Sequence, residues 1–325
     1  MTRPLLFIVG VPRSGTTLLR ELLTQHPSIS IPFEEMQLLP RLFREFEPDT
    51  SWQYRKNQDR LIEILEQSNF AGHMKRHGIT LDQESFRRSL EQVVDWESLV
   101  QTLTRHYLDV SNRFAPSLYV GDKTPSNLMR VKQFSDNFPE CRFVHIIRDP
   151  RDTVLSMRRA WSKSLYRAAV RWHDYIEFSF GLDADPKIAS RVHTIRYEDL
   201  LASLEGTLRG VCDFLEIDFT DKMLSLRRGA EHWGDAAGSN VVNVENQNKF
   251  LSGLSSHEIK QIESICFQPM QKCGYHPVHA NGHQSISRLR YHSLAAVDFA
   301  GGAMSHVRQK GVIRGIRYRV KQLLN

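Results

Sequence analysis

At 325 residues the chain is long enough for one large domain with a substantial core, or for two small domains. Its hydrophobic content of 41% and charged content of 25% are those of an ordinary globular protein, and no apolar run approaches the roughly 20 residues that span a bilayer. The net charge of +6 favours anionic partners such as nucleotides, anionic lipids or nucleic acids, and the four cysteines lack the spacing of a zinc site.

The first apolar run, residues 5–9, is typical of a parallel strand that is buried on both faces. A loop containing Gly10 and Gly15 follows it, and leucines at helical spacing come next. A strand, a glycine loop and a helix in this order surround an anion with backbone N–H groups and a helix N-terminus. The two glycines have the spacing of a Walker P-loop, but Thr16 and Thr17 stand where the lysine and the hydroxyl residue belong.

Without that lysine the loop is poorly equipped to transfer a γ-phosphoryl group. It can still hold a phosphate through its backbone and through the hydroxyls of Ser14, Thr16 and Thr17. Arg13 supplies a positive charge at a different position. The alternative is an ordinary turn between a strand and a helix, with polar capping residues.

The rest of the chain alternates further strands and helices. Residues 29–31, 118–120, 142–147 and 191–195 read as short strands, and residues 36–46, 150 onward, 200–215 and 255–273 as helices. The last of these helices is expected to begin at a capping box formed by Ser255 and Glu258. Residues 49–114 have an amphipathic helical pattern without a convincing strand, and 229–253 read as a long polar loop. This alternation predicts an α/β fold, a P-loop-like and mostly parallel sheet flanked by helices, with a helical insertion.

Several motifs in this order resemble the sulfotransferases that use 3′-phosphoadenosine-5′-phosphosulfate (PAPS). Residues 11–19 (VPRSGTTLL), followed by His26 and Pro27, resemble the family's 5′-phosphosulfate-binding segment, closest to the bacterial and protein-tyrosine branch. The resemblance continues through residues 32–35 (PFEE), 121–125 (GDKTP), 143–152 (FVHIIRDPRD) and 196–200 (RYEDL).

The resemblance implies a role for individual residues. Glu34 matches the proposed general base, with Glu35 next to it as the second choice, and Lys123 and Arg13 match cations at the leaving phosphate. The implied nucleotide contacts are Arg13, Ser14, Gly15, Thr16, Thr17, Arg148, Ser156, Tyr197, Ser239 and Lys249. The alternatives are that both glutamates merely open a helix, where negative charge suits the dipole, and that Lys123 is a solvated loop residue. Arg151, Arg158 and Arg159 are interpreted as a solvated basic helix face.

The predicted reaction moves the sulfuryl group of PAPS to an acceptor hydroxyl, without a metal, and releases adenosine 3′,5′-bisphosphate (PAP). A carbohydrate, a lipid, a metabolite or a peptide tyrosine would all serve as acceptor. The alternatives are a kinase-like P-loop enzyme, which the missing lysine disfavours, and a basic nucleic-acid-binding protein, for which the chain has no zinc-finger or RNP-like motif. We expect no nucleic-acid partner.

Residues 1–280 are expected to form a single sulfotransferase domain, with the helical insertion at about 49–115, and residues 281–325 a basic tail. Val312, Ile316 and Val320 recur at four-residue spacing among arginines and lysines, which predicts a basic amphipathic helix in contact with an anionic membrane surface or an acidic partner. The alternative is a helix packed on the domain, or a frayed end. The first strand begins too early to leave room for a signal peptide, and the cysteines have the apolar context of reduced thiols, so we expect a cytoplasmic protein.

Overall fold

The computed structural model describes residues 4–47, 49–108, 118–226, 242–285, 287, 291 and 293–294. The strands of this part are β1 (Leu5–Gly10), β2 (Ile29–Ser30), β3 (Tyr119–Lys123), β4 (Arg142–Ile147) and β5 (Val192–Arg196). They form one sheet in the order β2-β3-β1-β4-β5, and every neighbouring pair is parallel. The predicted parallel sheet is confirmed.

Helices flank the sheet. Between β1 and β3 the chain forms α1 (Thr16–Leu23), α2 (Leu39–Glu45), α3 (Arg55–Glu66), α4 (Asn69–Arg76), α5 (Gln83–Leu90) and α6 (Trp96–His106). After β3 come α7 (Val131–Asn137), α8 (Pro150–Trp161), α9 (Leu165–Phe180), α10 (Pro186–Ala189), α11 (Tyr197–Ala202), α12 (Leu204–Leu215), α13 (Phe250–Gly253) and α14 (Ser256–Lys272), with 3₁₀ turns at Pro125–Arg130 and Asp221–Leu224. In this described part, every helix is too short or too polar to cross a membrane.

The central strand β1 is buried on both faces because helices cover it from either side. Leu5, Phe7 and Val9 belong to a core that is shared with helices α2 to α7. Leu6 and Ile8, on the opposite face, pack with α1, α11 and α12. The insertion α3–α6 thus shares a hydrophobic core with one face of the sheet.

A third core joins α8, α9 and α14 beside the sheet. Helix α14 begins at the predicted capping box, in which Ser255 Oγ accepts from Glu258 N and the Glu258 carboxylate accepts from Ser255 N. The cysteines are free thiols, as expected, and Cys141, Cys212 and Cys266 are buried in these cores.

The helix predicted over 36–46 begins only at Leu39. Met36 N donates to the side chain of Asp122 at 3.0 Å, and Gln37 has a φ of 49°, in the left-handed region. These two features keep residues 33–38 out of the helix, so the two glutamates do not open it. Most of the predicted tail, including Val312, Ile316 and Val320, lies outside the described residues.

Candidate active site

The carboxyl ends of the parallel strands meet at one edge of the sheet, where open α/β sheets hold their ligands. The glycine loop follows β1, Glu34 and Glu35 follow β2, and Lys123 ends β3. Arg148 follows β4, and Tyr197 follows β5. The sheet therefore brings nearly all of the sequence-predicted residues to this edge.

The glycine loop turns tightly into α1. Ser14 N donates to Val11 O at 3.1 Å, and Arg13 has a φ of 74°, an uncommon conformation for a residue with a side chain. Ser14 Oγ is buried and has no hydrogen-bond partner among the described residues. Thr16 is buried and Thr17 half-buried in the first turn of α1. The loop thus presents a helix N-terminus and an unpaired buried hydroxyl.

Gly15 is required where it stands. Its φ is 99°, and a Cβ there would overlap the Tyr197 ring. Tyr197 is itself buried, and its hydroxyl accepts from Asn246 Nδ2 at 2.8 Å. The Arg148 guanidinium lies 4.3 Å from the centre of the same ring. The ring of Tyr197 therefore joins the glycine loop to Arg148 and to the loop around Asn246.

Arg148 and Ser156, predicted as a phosphate-binding pair, have different partners. Arg148 Nη2 donates to Asn246 O at 2.7 Å, while its buried Nε has no hydrogen-bond partner among the described residues. Ser156 Oγ accepts from Arg13 Nε at 3.2 Å. Ser156 thus contacts the glycine loop through Arg13, and the Nε–H of Arg148 is available to donate to a ligand.

Lys249 and Ser239 were also predicted at this site, and Asn246 of the same polar loop was missed. Lys249 is half-buried before α13, where Phe250 N donates to Asp152 Oδ1 at 2.9 Å. Ser239 lies outside the described residues. Asn246 was not singled out in the polar loop, because only its contacts with Arg148 and Tyr197, far away in sequence, distinguish it from the neighbouring polar residues.

The interpretation of Arg151 as part of a solvated basic face is wrong. Its side chain is buried and bonds Asp149 Oδ2 at 2.6 Å and Glu263 Oε1 at 2.8 Å. Arg159 is exposed, and Arg158 is half-buried with its Nη1 on Glu258 at 2.7 Å. Arg151 instead fixes α14 to the start of α8.

Lys123 is the last residue of β3 rather than a solvated loop residue. It is 4% exposed, and its Nζ lies 3.2 Å from Glu35 Oε1. In the sheet it stands opposite Ile8 of β1, two residues before the glycine loop. A buried ammonium therefore lies one strand away from the candidate anion site.

Glu34 contacts a residue that sequence reasoning missed. Its Oε2 lies 3.1 Å from Nδ1 of His73, which belongs to α4 of the insertion. The two glutamates thus differ, because Glu35 pairs with a cation of the sheet and Glu34 with an imidazole of the insertion. A single histidine in an amphipathic helix gave no signal of this contact.

Asp122, also missed, fastens the glutamate segment to the end of β3. Its Oδ1 accepts from Met36 N and its Oδ2 from Asn127 Nδ2, both at 3.0 Å. Gln37 N donates to Thr124 Oγ1 at 3.4 Å. Burial raises the pKa of the Asp122 carboxyl to about 6. The segment that carries Glu34 and Glu35 is therefore attached to the end of β3 through Met36 and Gln37.

Comparison with known sequences identifies sulfotransferases as relatives of this chain. The sequence model described as "Sulfotransferase family" matches residues 4–221. Protein-tyrosine sulfotransferase 1 of Danio rerio is 25% identical over 295 residues, which cover 86% of this chain and 74% of the relative. The omega-hydroxy-beta-dihydromenaquinone-9 sulfotransferase Stf3 of Mycobacterium tuberculosis is 26% identical over 281 residues, 75% of this chain and 71% of the relative.

Solved structures share the fold. The sulfotransferase domain from the curacin biosynthetic pathway superposes with a TM-score of 0.57 at 22% identity, covering 85% of this chain and 99% of the domain. The sulfotransferase domain from the Synechococcus PCC 7002 olefin synthase gives a TM-score of 0.53 at 23% identity, covering 81% and 94%.

Proposed function

The chain belongs to the sulfotransferase family, and we propose that PAPS is its sulfuryl donor and a hydroxyl group its acceptor. The observation that carries this proposal is the arrangement of charges at one sheet edge. Lys123 pairs in the sheet with Ile8, two residues before the glycine loop, and its buried ammonium lies 3.2 Å from Glu35 Oε1 of the glutamate pair. An anion-binding loop, a fixed cation and a carboxylate pair are the groups that this transfer needs. The family assignment disfavours the kinase-like and nucleic-acid-binding alternatives.

The donor would lie along the loop that follows β1. Backbone N–H groups of residues 14–17 and the N-terminus of α1 suit its 5′-phosphate. Arg148, whose Nε has no partner among the described residues, and Ser156 suit the 3′-phosphate, because an arginine fork matches phosphate geometry. Tyr197, Lys249 and Ser239 are proposed as further nucleotide contacts.

In the proposed reaction the acceptor oxygen forms a bond to sulfur as the bond from sulfur to the bridging phosphate oxygen breaks. Glu34 takes the proton of the acceptor hydroxyl. Lys123 and Arg13 neutralise the charge that develops on the departing oxygen. The products are the sulfated acceptor and PAP. Glu35, which is paired with Lys123, is proposed to hold that ammonium in position.

The choice of a hydroxyl acceptor follows from the relatives. One is named for protein tyrosine and one for omega-hydroxy-beta-dihydromenaquinone-9. These are different classes of molecule, and both carry a hydroxyl group. A cytoplasmic location remains our prediction, and fractionation of cells that produce the protein tests it.

Calorimetry tests the donor site. The protein should bind PAP without magnesium and much more tightly than AMP, because only PAP carries the 3′-phosphate. Arg148→Ala and Ser156→Ala should lose most of that preference. Equal affinity of the wild type for PAP and AMP would refute the 3′-phosphate assignment.

Turnover with labelled PAPS and a screen of phenols and alcohols tests the chemistry. Glu34→Gln and Lys123→Ala should keep the PAP affinity within about tenfold, while kcat falls by roughly 10²–10⁴, the range for lost acid–base catalysis. Glu35→Gln, which keeps Glu34 but weakens the ion pair with Lys123, is the comparison variant and should lower kcat less than Glu34→Gln does. If Glu35→Gln is inactive and Glu34→Gln is nearly wild type, the base is Glu35.

A further inference from the structure

Glu34 is held from the insertion side by α4. Among the described residues its one hydrogen bond joins Oε2 to His73 Nδ1, 3.1 Å away. The Glu34 side chain is 24% exposed and that of His73 34%, so the contact lies at the mouth of the site. Phe70 and Met74 on the same helix are buried in the core, which fixes α4 in place.

His77, the residue that follows the end of α4, contacts the neighbouring residue of the same segment. The rings of His77 and Phe33 meet edge to face, with centroids 4.7 Å apart. Residues 73 and 77 are four apart and therefore lie on the same side of the C-terminal end of α4. This face of α4 lies over Phe33 and Glu34, so two independent contacts bring the insertion onto the glutamate segment.

The other groups near Glu34 do not orient its carboxylate in this way. Glu35 is occupied by Lys123. Arg20 of α1, which is buried, interacts electrostatically with Glu34 but pairs directly with Glu21 at 2.5 Å. An ionised carboxylate only accepts hydrogen bonds, so the Nδ1–H of His73 is the donor in its contact.

We propose that His73 is a positioning residue, which holds Oε2 of Glu34 and thereby turns Oε1 toward the acceptor hydroxyl. This inference rests on the proposed role of Glu34 as the base. The terminal torsion of a glutamate is broad, so one fixed oxygen decides where the other points. Because a small misplacement of a reacting group slows a reaction strongly, α4 would control turnover through the geometry of the base.

Substitutions at position 73 test the proposal. His73→Leu removes the donor and should lower kcat on the order of tenfold to hundredfold at unchanged PAP affinity. His73→Asn places an amide N–H near the position of Nδ1 and should restore kcat to within about threefold of wild type. Lys75→Leu, on the exposed side of α4, is the matched control and should change neither value.

The His73→Leu substitution made in the Glu34→Gln variant shows whether His73 acts through Glu34 or by a general structural effect. In Glu34→Gln the base is absent, so adding His73→Leu should cause no further loss of kcat. An equal loss in both backgrounds would overturn the proposal. A His73→Asn variant as slow as His73→Leu would also overturn it, because the imidazole ring itself would then be required.

An NMR measurement reads the contact without turnover. In ¹⁵N spectra of the full chain, assigned by comparison with His73→Asn, the neutral ring of His73 should carry its proton on Nδ1, and Glu34→Gln should shift that signal. If Nδ1 of the neutral ring carries no proton, the inference is overturned. A wild type that transfers nothing from PAPS refutes the proposed function instead, whereas a wild-type rate in Glu34→Gln leaves the sulfotransferase function standing but refutes the role of Glu34 and, with it, the positioning role of His73.

Discussion

The carboxyl of Asp122 should make the stability of the protein depend on pH. Burial raises its pKa in the folded state to about 6 from an ordinary value of 3.8. A group whose pKa is raised by folding contributes stability below its unfolded pKa, and the contribution is lost as the pH rises through the folded pKa. The loss therefore falls between about pH 4 and pH 6.

Its size follows from the two pKa values. Their difference corresponds to roughly 3 kcal/mol of unfolding free energy, of which most is lost by pH 7. The charge is tolerated at neutral pH because Met36 N–H and the Asn127 amide donate to it. In Asp122→Asn the charge is absent, Met36 N–H keeps an acceptor, and the Asn127 amide must turn to present its oxygen.

Urea unfolding of wild type and Asp122→Asn between pH 4 and pH 8 measures the effect. As the pH rises across this range, the unfolding free energy of the wild type should fall by roughly 2–3 kcal/mol relative to that of the variant. Asp136→Asn, on the exposed side of α7, serves as the control for removing one carboxylate. Parallel curves for wild type and Asp122→Asn would refute the reasoning.

The same residue links stability to catalysis. Asp122→Ala leaves Met36 N–H and the Asn127 amide without their acceptor, which costs about 1–3 kcal/mol for each buried group. It should also lower kcat, because the segment that carries Glu34 loses its attachment to β3. Asp122→Asn, which keeps that attachment, should stay within about threefold of the wild-type kcat. Equal kcat values for Asp122→Ala and Asp122→Asn would show that the attachment of this segment to β3 does not affect catalysis.

Three further changes have defined outcomes. Gly15→Ala should abolish PAP binding in calorimetry and lower the Tm, because the new Cβ overlaps the Tyr197 ring. Arg151→Met should destabilise the protein by about 3–5 kcal/mol in urea unfolding, because it leaves Glu263 buried without its cation. Removal of residues 311–325 should abolish flotation with anionic vesicles at low salt; if the full chain does not float either, the membrane contact is wrong.

Sequence patterns predicted those elements whose signals are local. The capping box is complete within four residues, from Ser255 to Glu258, and the apolar run at 142–147 coincides with β4. The end of β3 was predicted too early. The polar residues Asp122 and Lys123 read as a loop, but pairing with Phe7 and Ile8 of β1 continues the strand through them.

Contacts between distant segments were not predictable in this way. One of the two carboxylate partners of Arg151 is Glu263, more than a hundred residues away, so a pattern of basic residues on one helix suggested solvation instead of burial. His73 and Asp122 act on the glutamate segment from α4 and β3. His73 lies outside every motif, and Asp122 lies inside the motif at 121–125, where nothing in the sequence marks its contact with Met36. Most of the site residues that were recognised belong to motifs.

This difference explains why the donor was easier to predict than the acceptor. The groups proposed for the donor follow β1 and β4, where the register of a parallel sheet fixes their place, so short motifs suffice to recognise them. On the proposed acceptor side, His73 belongs to α4, whose position depends on a core that helices α2 to α7 share with the sheet. Changing residues of that core should shift His73 and with it Glu34. The kcat should therefore fall when residues of the insertion core that touch neither substrate are substituted, whereas the affinity for PAP measured by calorimetry should stay the same.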